Sequence, residues 1–191
     1  MSVGLLELWL PIVLATVIVW VASGLIHMAL RYHNSDYQRL GNEEDVMDVL
    51  RDGSPSQGLH AFPHCVDMSE MKDPAVQARY EKGPVGFVLI APNGMPAMGK
   101  LMGLQITHFL IGIALVAYCA TLALVPGAPY LEVFRFVMTA GFLAFGWASI
   151  PYSIWYGFQW SVTFKYLLDA AIYGALTAGT FAWLWPVGAV G

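Results

Sequence analysis

The sequence predicts an all-α transmembrane fold: a four-helix membrane bundle with a small cytoplasmic α+β insert between helices 1 and 2. Hydrophobic residues make up 58% of the 191 positions and charged residues only 12%, about half the share that is usual in soluble domains. Seven of the nine Lys and Arg, and ten of the thirteen Asp and Glu, lie between Arg31 and Lys100. Such segregation is typical of segments that are sorted between lipid and water. The mild net charge of −4 and the absence of a basic run exclude nucleic-acid binding from the expected functions.

Four apolar segments are long enough to cross a hydrocarbon core of about 30 Å. They cover residues 8–30, 101–124, 136–154 and 170–187. Because backbone polar groups in lipid must bond internally, each segment is expected to be a helix. The aromatic residues from 151 to 165 leave the boundary between the third and fourth spans open. The chain thus divides into a first span (1–30), a polar insert (31–100) and three further spans (101–191).

Positive charges predict the orientation. The insert carries seven Lys and Arg, and Lys165 lies in the link between the third and fourth spans. Arg135 is the single basic residue on the opposite side. The excess of positive charge on cytoplasmic loops therefore places the insert in the cytoplasm and both termini in the periplasm.

The insert is expected to contain two short helices and two short strands. Residues 42–51 (NEEDVMDVLR) begin with Asn42 as a candidate cap and carry acids in the first turn. Asp73-Pro74 opens a second helix that Gly83 closes. Residues 59–65 and 85–91 are typical of strands, and the second is ended by Pro92-Asn93-Gly94.

Small residues recur every four positions in the fourth span. The two rows are Ala170, Gly174 and Ala178, and Ala171, Ala175 and Gly179. Such rows allow close approach of helix backbones, either within the bundle or at an oligomer or partner interface. Nearby, Lys165 precedes Asp169 by four residues, so the two are expected to pair on one helix face.

Two histidines in apolar segments form a candidate cofactor site. His27 lies near the inner end of the first span and His108 near the inner end of the second. Since these helices run in opposite directions, the two imidazoles are expected at similar depth, where they could ligate a haem or a metal. The alternatives are hydrogen bonding within the bundle and contact with a quinone or lipid.

A second candidate metal site combines imidazole, carboxylate and thiol groups. Its members are His33, Asp36, His60, His64 and Cys65. These are ligand types for zinc, copper or iron, although their spacing matches no established zinc pattern. The alternative is a polar surface, with His33 and Asp36 stabilising the exit from the first helix. Met95, Met98 and Met102 lie at helical spacing, where adaptable packing and soft copper ligation are the two interpretations.

Several stretches resemble a known group. The run Ser23-Gly-Leu-Ile-His27-Met and the run Tyr32-His33-Asn-Ser-Asp36-Tyr37 are similar to segments of small bacterial inner-membrane proteins of unassigned function. Three further stretches resemble the same group: residues 98–100 (MGK), 153–155 (SIW) and 178–185 (AGTFAWLW). The resemblance covers most of the chain. It implies a bacterial inner-membrane location and supplies no activity, cofactor or catalytic residue.

The expected function is therefore non-catalytic: an accessory or structural subunit that docks into a larger membrane protein complex or into a homo-oligomer. No nucleophile motif and no phosphate-binding loop is present in the sequence. The alternative is a haem- or metal-binding membrane redox protein that uses His27 with His108, or His33 and Asp36 with His60 and His64. Lipid, other membrane subunits or further copies of the chain are the expected partners.

Overall fold

A computed structural model describes residues 2–188 of the chain, which are mostly helical. They form two compact units. The helical unit comprises residues 2–37, 96–154 and 158–188, and the insert unit comprises residues 38–95 with 155–157. Residues 31–37 and 96–100, which their charge assigns to the insert, thus belong with the helices. That placement brings the first polar residues after the first helix into the helical unit.

The helices and strands follow one another along the chain as α1 (Trp9–Gly24), α2 (Glu43–Gly53), β1 (Gly58–Phe62), α3 (Pro74–Lys82), β2 (Gly86–Ile90), α4 (Met98–Ala123), α5 (Tyr130–Phe145), α6 (Ile150–Trp155) and α7 (Trp160–Trp183). A 3₁₀ turn, Leu5–Leu8, precedes α1, and a π-helical turn, Leu25–Leu30, continues it.

Three helical segments among the described residues are long and apolar enough to cross a membrane. They are Leu5–Leu30, Met98–Ala123 and Tyr130–Trp155, each 26 residues long. These segments coincide with the first three predicted spans, which confirms that the chain has the composition of a membrane protein. The third is interrupted at Gly146, where α5 ends before a short 3₁₀ turn, Trp147–Ser149, leads into α6.

The fourth predicted span coincides in part with α7, which begins ten residues earlier than expected, at Trp160. The aromatic residues that obscured this boundary are divided between α6 and α7, with Gly157 between them at a φ of 73°. Lys165 and Asp169 make α7 less apolar than the other three long segments. It tolerates them because it is the most enclosed helix of the unit, packed against both α1 and α5.

Small residues allow α5 and α7 to approach closely. A Cβ atom on Gly141 would lie 3.1 Å from the Cα of Gly174, and a Cβ on Gly146 would overlap the Cβ of Ala170. The row of Ala170, Gly174 and Ala178 is buried, so its spacing serves packing inside the protein. The neighbouring row of Ala171, Ala175 and Gly179 stays partly exposed.

The insert unit contains the predicted elements but almost no core. β1 and β2 pair antiparallel, with His60 opposite Val88. The Asp73 side chain accepts a hydrogen bond from the backbone N–H of Ala75 (2.8 Å), which caps α3 as predicted. Asn42 stands at the N-cap of α2, yet its side chain makes no capping hydrogen bond, so that detail of the prediction is wrong. In residues 38–95, Pro63 is the single buried residue.

Candidate metal centre

The chain turns sharply where the first helix ends. After the π-helical turn Leu25–Leu30, Arg31 adopts a left-handed conformation (φ 53°, ψ 16°), which is uncommon for a residue other than glycine. A 3₁₀ turn, Tyr32–Asp36, follows at once. π-helical turns occur frequently at functional sites. Here the change of direction turns Tyr32 and His33 back towards α7.

Asp169 is a buried carboxylate in the middle of this arrangement. It lies in α7 and is only 4% exposed. Its Oδ1 accepts a hydrogen bond from the hydroxyl of Tyr32, and its Oδ2 lies 2.9 Å from Nε2 of His33. A buried charge is tolerated only when it is paired and hydrogen-bonded, and Asp169 meets that condition through residues from the far end of the chain.

His33 lies between two carboxylates. Its Nδ1 is 2.6 Å from Oδ2 of Asp36, and its Nε2 faces Asp169. A neutral imidazole has only one N–H, so two such bonds require a further proton, either on the ring or on one of the carboxyl groups. A metal ion bound at Nε2 would replace that proton. Metal-bound histidines commonly donate their other N–H to a carboxylate, as His33 does to Asp36.

Lys165 holds Asp36 in place. Its ammonium group donates to the Asp36 carboxylate, to the backbone carbonyl of Tyr32 (2.9 Å) and to Oγ of Ser35 (2.7 Å), which uses all three of its donors. Burial alone would raise the pKa of Asp36, but hydrogen bonds from Lys165 and His33 outweigh burial and lower it. Asp36 therefore accepts the His33 Nδ1–H as an anion. The pairing of Lys165 with Asp169 predicted from the sequence is wrong, because Asp36 is the partner of Lys165.

His27 completes a group of three metal-binding side chains. Its Nδ1 donates to the backbone carbonyl of Ser23 (2.9 Å), which leaves Nε2 as the available ligand atom. Its ring stacks on that of His33 with centroids 4.7 Å apart and planes 1° from parallel. One ligand atom each from His27, His33 and Asp169 lies within 4.8 Å of the other two. A tetrahedral zinc-type site would place such atoms roughly 3.3 Å apart. To bind an ion, the His27 ring would have to tilt out of its stack on His33, and the ion would replace the 2.9 Å contact between His33 and Asp169.

A cavity of about 180 Å³ opens beside two of the three ligands, His27 and Asp169. His27 and His108, the predicted cofactor pair, both line it, and so does Asp169. Pockets for organic cofactors usually measure about 300–1,000 Å³. The volume therefore suits a metal ion with water or one small group better than a haem macrocycle.

The remaining predicted ligands lie in the insert unit. His60 donates from Nε2 to the backbone carbonyl of Ser56 (2.8 Å), and Cys65 Sγ lies 3.8 Å from the Tyr80 hydroxyl. His60 and His64 line one cavity of about 380 Å³ beside β1. β1 ends at Phe62, so His64 lies beyond the strand that was expected to align it with His60. Metal binding by His60, His64 and Cys65 stays a prediction.

Sequence reasoning missed Asp169 as a metal ligand and Tyr32 as its partner. The available signal was the clustering of Tyr32, His33 and Asp36 directly after the first span, together with one acid in the last apolar helix. Acids in such helices generally have a polar partner. The geometry of this cluster carries the functional interpretation. Compared with known proteins, the chain matches no family model, no curated protein and no solved structure.

Proposed function

We propose that this chain is an integral membrane protein that binds a divalent transition-metal ion through His27, His33 and Asp169 and acts as a metal-dependent redox protein. The observation that carries the proposal is the convergence of these three ligands within 4.8 Å. Two imidazoles, one carboxylate and open coordination positions are typical of non-haem Fe(II) sites. The adjoining cavity supplies room for such positions.

The surrounding residues support a metal-binding role for this cluster over a purely structural role. Both histidines have Nδ1 engaged, His27 by a backbone carbonyl and His33 by Asp36. The engaged Nδ1 orients each ring and leaves Nε2 as the donor for the metal. Lys165 neutralises Asp36, so a divalent ion would face the remaining charge of Asp169.

Metal analysis of the full chain in detergent tests this proposal. After anaerobic loading with Fe(II) or Co(II) and desalting, we expect one ion per chain. His27→Gln is the sharpest variant, since His27 is exposed and its loss leaves the buried pairs intact. Glu43→Gln, at an exposed pair with Arg39 outside both groups of candidate ligands, is the control and should retain the ion. Failure of the chain to hold metal, or full retention by His27→Gln, would overturn the proposal.

We also infer that α7 is a fourth membrane span, that both termini are periplasmic, and that the insert is in the cytoplasm of a bacterial cell. The 24 residues of α7 extend over about 36 Å, which exceeds a hydrocarbon core of about 30 Å. Its two charged residues both pair with residues that follow the first helix. Lys165 donates to the Asp36 carboxylate, and Asp169 contacts Nε2 of His33. The orientation rests on the positive charges of the insert.

A second proposal is that the chain is an accessory subunit of a larger membrane assembly or of its own oligomer. The insert unit supports it, since Leu59 (54% exposed) and Leu89 (74% exposed) stand opposite each other across β1 and β2 and leave adjoining apolar surface uncovered. Exposed apolar surface of this kind marks interaction sites. Isolation in mild detergent should show a defined oligomer or co-migrating subunits, and a solitary monomer would contradict this second proposal.

A further inference from the structure

An apolar cavity of about 360 Å³ lies between α1 and α4 in the helical unit. Its walls are mainly apolar side chains of α4, of α1 and of the π-helical turn that continues α1: Trp20, Leu25, Met28, Met98 and Met102. Its volume lies within the range of about 300–1,000 Å³ that is usual for organic ligands. Both helices belong to segments with membrane-spanning composition, so a ligand that enters between them would come from the lipid phase.

This apolar cavity adjoins the smaller cavity beside the metal ligands. Ser23, His27 and Gln105 line both. The smaller cavity is more polar, and His108 and Asp169 contribute to it. An apolar cavity thus adjoins a more polar one at these three residues, an arrangement that matches a molecule with an apolar body and a polar head.

Two exposed polar side chains, Gln105 and His108, lie at the polar end, and the His108 ring contacts the rings of Phe109 and Phe145. Gln105 and His108 make no side-chain hydrogen bond within residues 2–188. Both lie in α4, an apolar segment in which uncompensated polar groups are costly. A ligand with hydrogen-bonding oxygens would satisfy these two groups.

The charges around the polar end disfavour a phosphate headgroup. Lys165, one turn before Asp169 on α7, already donates to three oxygens, from Tyr32, Ser35 and Asp36. The carboxylate of Asp169 faces the cavity and would repel an anion. A neutral head with carbonyl oxygens avoids that repulsion and accepts hydrogen bonds from Gln105 and His108.

From these observations we propose that the two adjoining cavities bind a membrane quinone, with its ring carbonyls at Gln105 and His108 and its apolar tail between α1 and α4. The proposal goes beyond metal binding and does not require it. Gln105 and His108 are not among the three proposed metal ligands. An experiment can therefore find that quinone binding is lost while metal binding is kept, or the reverse.

Fluorescence quenching in the full chain provides the test, because Trp20 lines the apolar cavity and quinones quench indole emission. Titration of the protein in nanodiscs with ubiquinone-1 should give saturable quenching that Trp20→Phe reduces. Gln105→Leu should weaken binding about tenfold, the loss expected for one well-made hydrogen bond. Thr107→Val is the matched control on α4, since Thr107 bonds to its own helix at Gly103 and lines neither cavity.

Unchanged helical circular dichroism would show that Gln105→Leu still folds. A second variant tests the proposal if Gln105→Leu does not fold. Gly24→Leu would fill the apolar cavity from α1, where a Cβ would meet only the flexible end of Met28 at 3.3 Å. It should abolish saturable quenching while metal content stays unchanged. Absence of saturation in the wild type would overturn the proposal. Equal binding by Gln105→Leu, or displacement of ubiquinone-1 by oleate at equal concentration, would overturn it as well.

Discussion

Nε2 of His33 lies 2.9 Å from Oδ2 of Asp169, although 136 positions separate the two residues in the chain. This contact joins the end of the first helix to the middle of the last one. Both side chains are at most 8% exposed. The pair is therefore among the few long-range polar contacts that hold the helical unit together.

Replacement of Asp169 should be strongly destabilising. Asp169→Ala leaves the Tyr32 hydroxyl and His33 Nε2 without their buried acceptor, and removal of one partner from a buried pair costs about 3–5 kcal/mol. Thermal unfolding in detergent, followed by circular dichroism, measures the loss. Asp48→Ala is the control, because its pair with Arg51 is largely exposed and should be worth about 1 kcal/mol or less. A loss below about 1 kcal/mol for Asp169→Ala would show that the contact contributes little.

The close approach of α5 and α7 gives a second prediction. Gly146→Ala places a methyl group against Ala170, and overpacking of this kind costs about 1–3 kcal/mol. Gly103→Ala is the matched control, since a Cβ there meets no atom within 4 Å. Because Gly103 lies within α4, Gly103→Ala should stabilise the helix by up to about 1 kcal/mol. Equal melting temperatures for the two variants would contradict this account of the packing.

Asp36 should act on metal affinity without touching the metal. Asp36→Asn keeps the size of the side chain but replaces the carboxylate that accepts the His33 Nδ1–H. Loss of such a partner typically lowers metal affinity about 10- to 100-fold. Competition between the Co(II)-loaded protein and a chelator measures the change. Glu43→Gln, at an exposed pair with Arg39, is the control and should leave the affinity unchanged.

Cys65 offers a natural probe of orientation. Both cysteines are free, and Cys65 lies in the insert unit while Cys119 lies within α4. In a Cys119→Ser background, a membrane-impermeant maleimide should label inside-out vesicles and leave intact spheroplasts unlabelled. Labelling of intact spheroplasts would place the insert on the opposite side and reverse the proposed topology.

Hydropathy and turn chemistry made much of the fold predictable. Long runs without charge locate α1, α4 and α5, because lipid excludes unpaired charge whatever the tertiary contacts are. Asp73-Pro74 and Gly83 located α3, since capping and φ preferences act within a few residues. The four-residue spacing of Ala170, Gly174 and Ala178 indicated a close helix contact and left its partner open.

The candidate site was only partly predictable. His27, His33 and Asp36 stand out by residue type, but the pairing of Asp169 with His33 depends on a contact between the two ends of the chain. The left-handed Arg31 directs that contact, and no glycine or asparagine marks its position in the sequence. The four-residue spacing on α7 favoured Lys165 as the partner of Asp169. In the structure Lys165 instead pairs with Asp36, which is distant in the sequence.

The bonds from Lys165 to Tyr32, Ser35 and Asp36 also impose an order on biogenesis. The ribosome delivers the segment after the first helix long before it delivers α7, so that segment waits with an unneutralised acid until α7 has been made. A nascent chain stalled before α7 cannot close this junction. Quality-control proteases of the membrane should therefore remove such truncated chains faster than the finished protein.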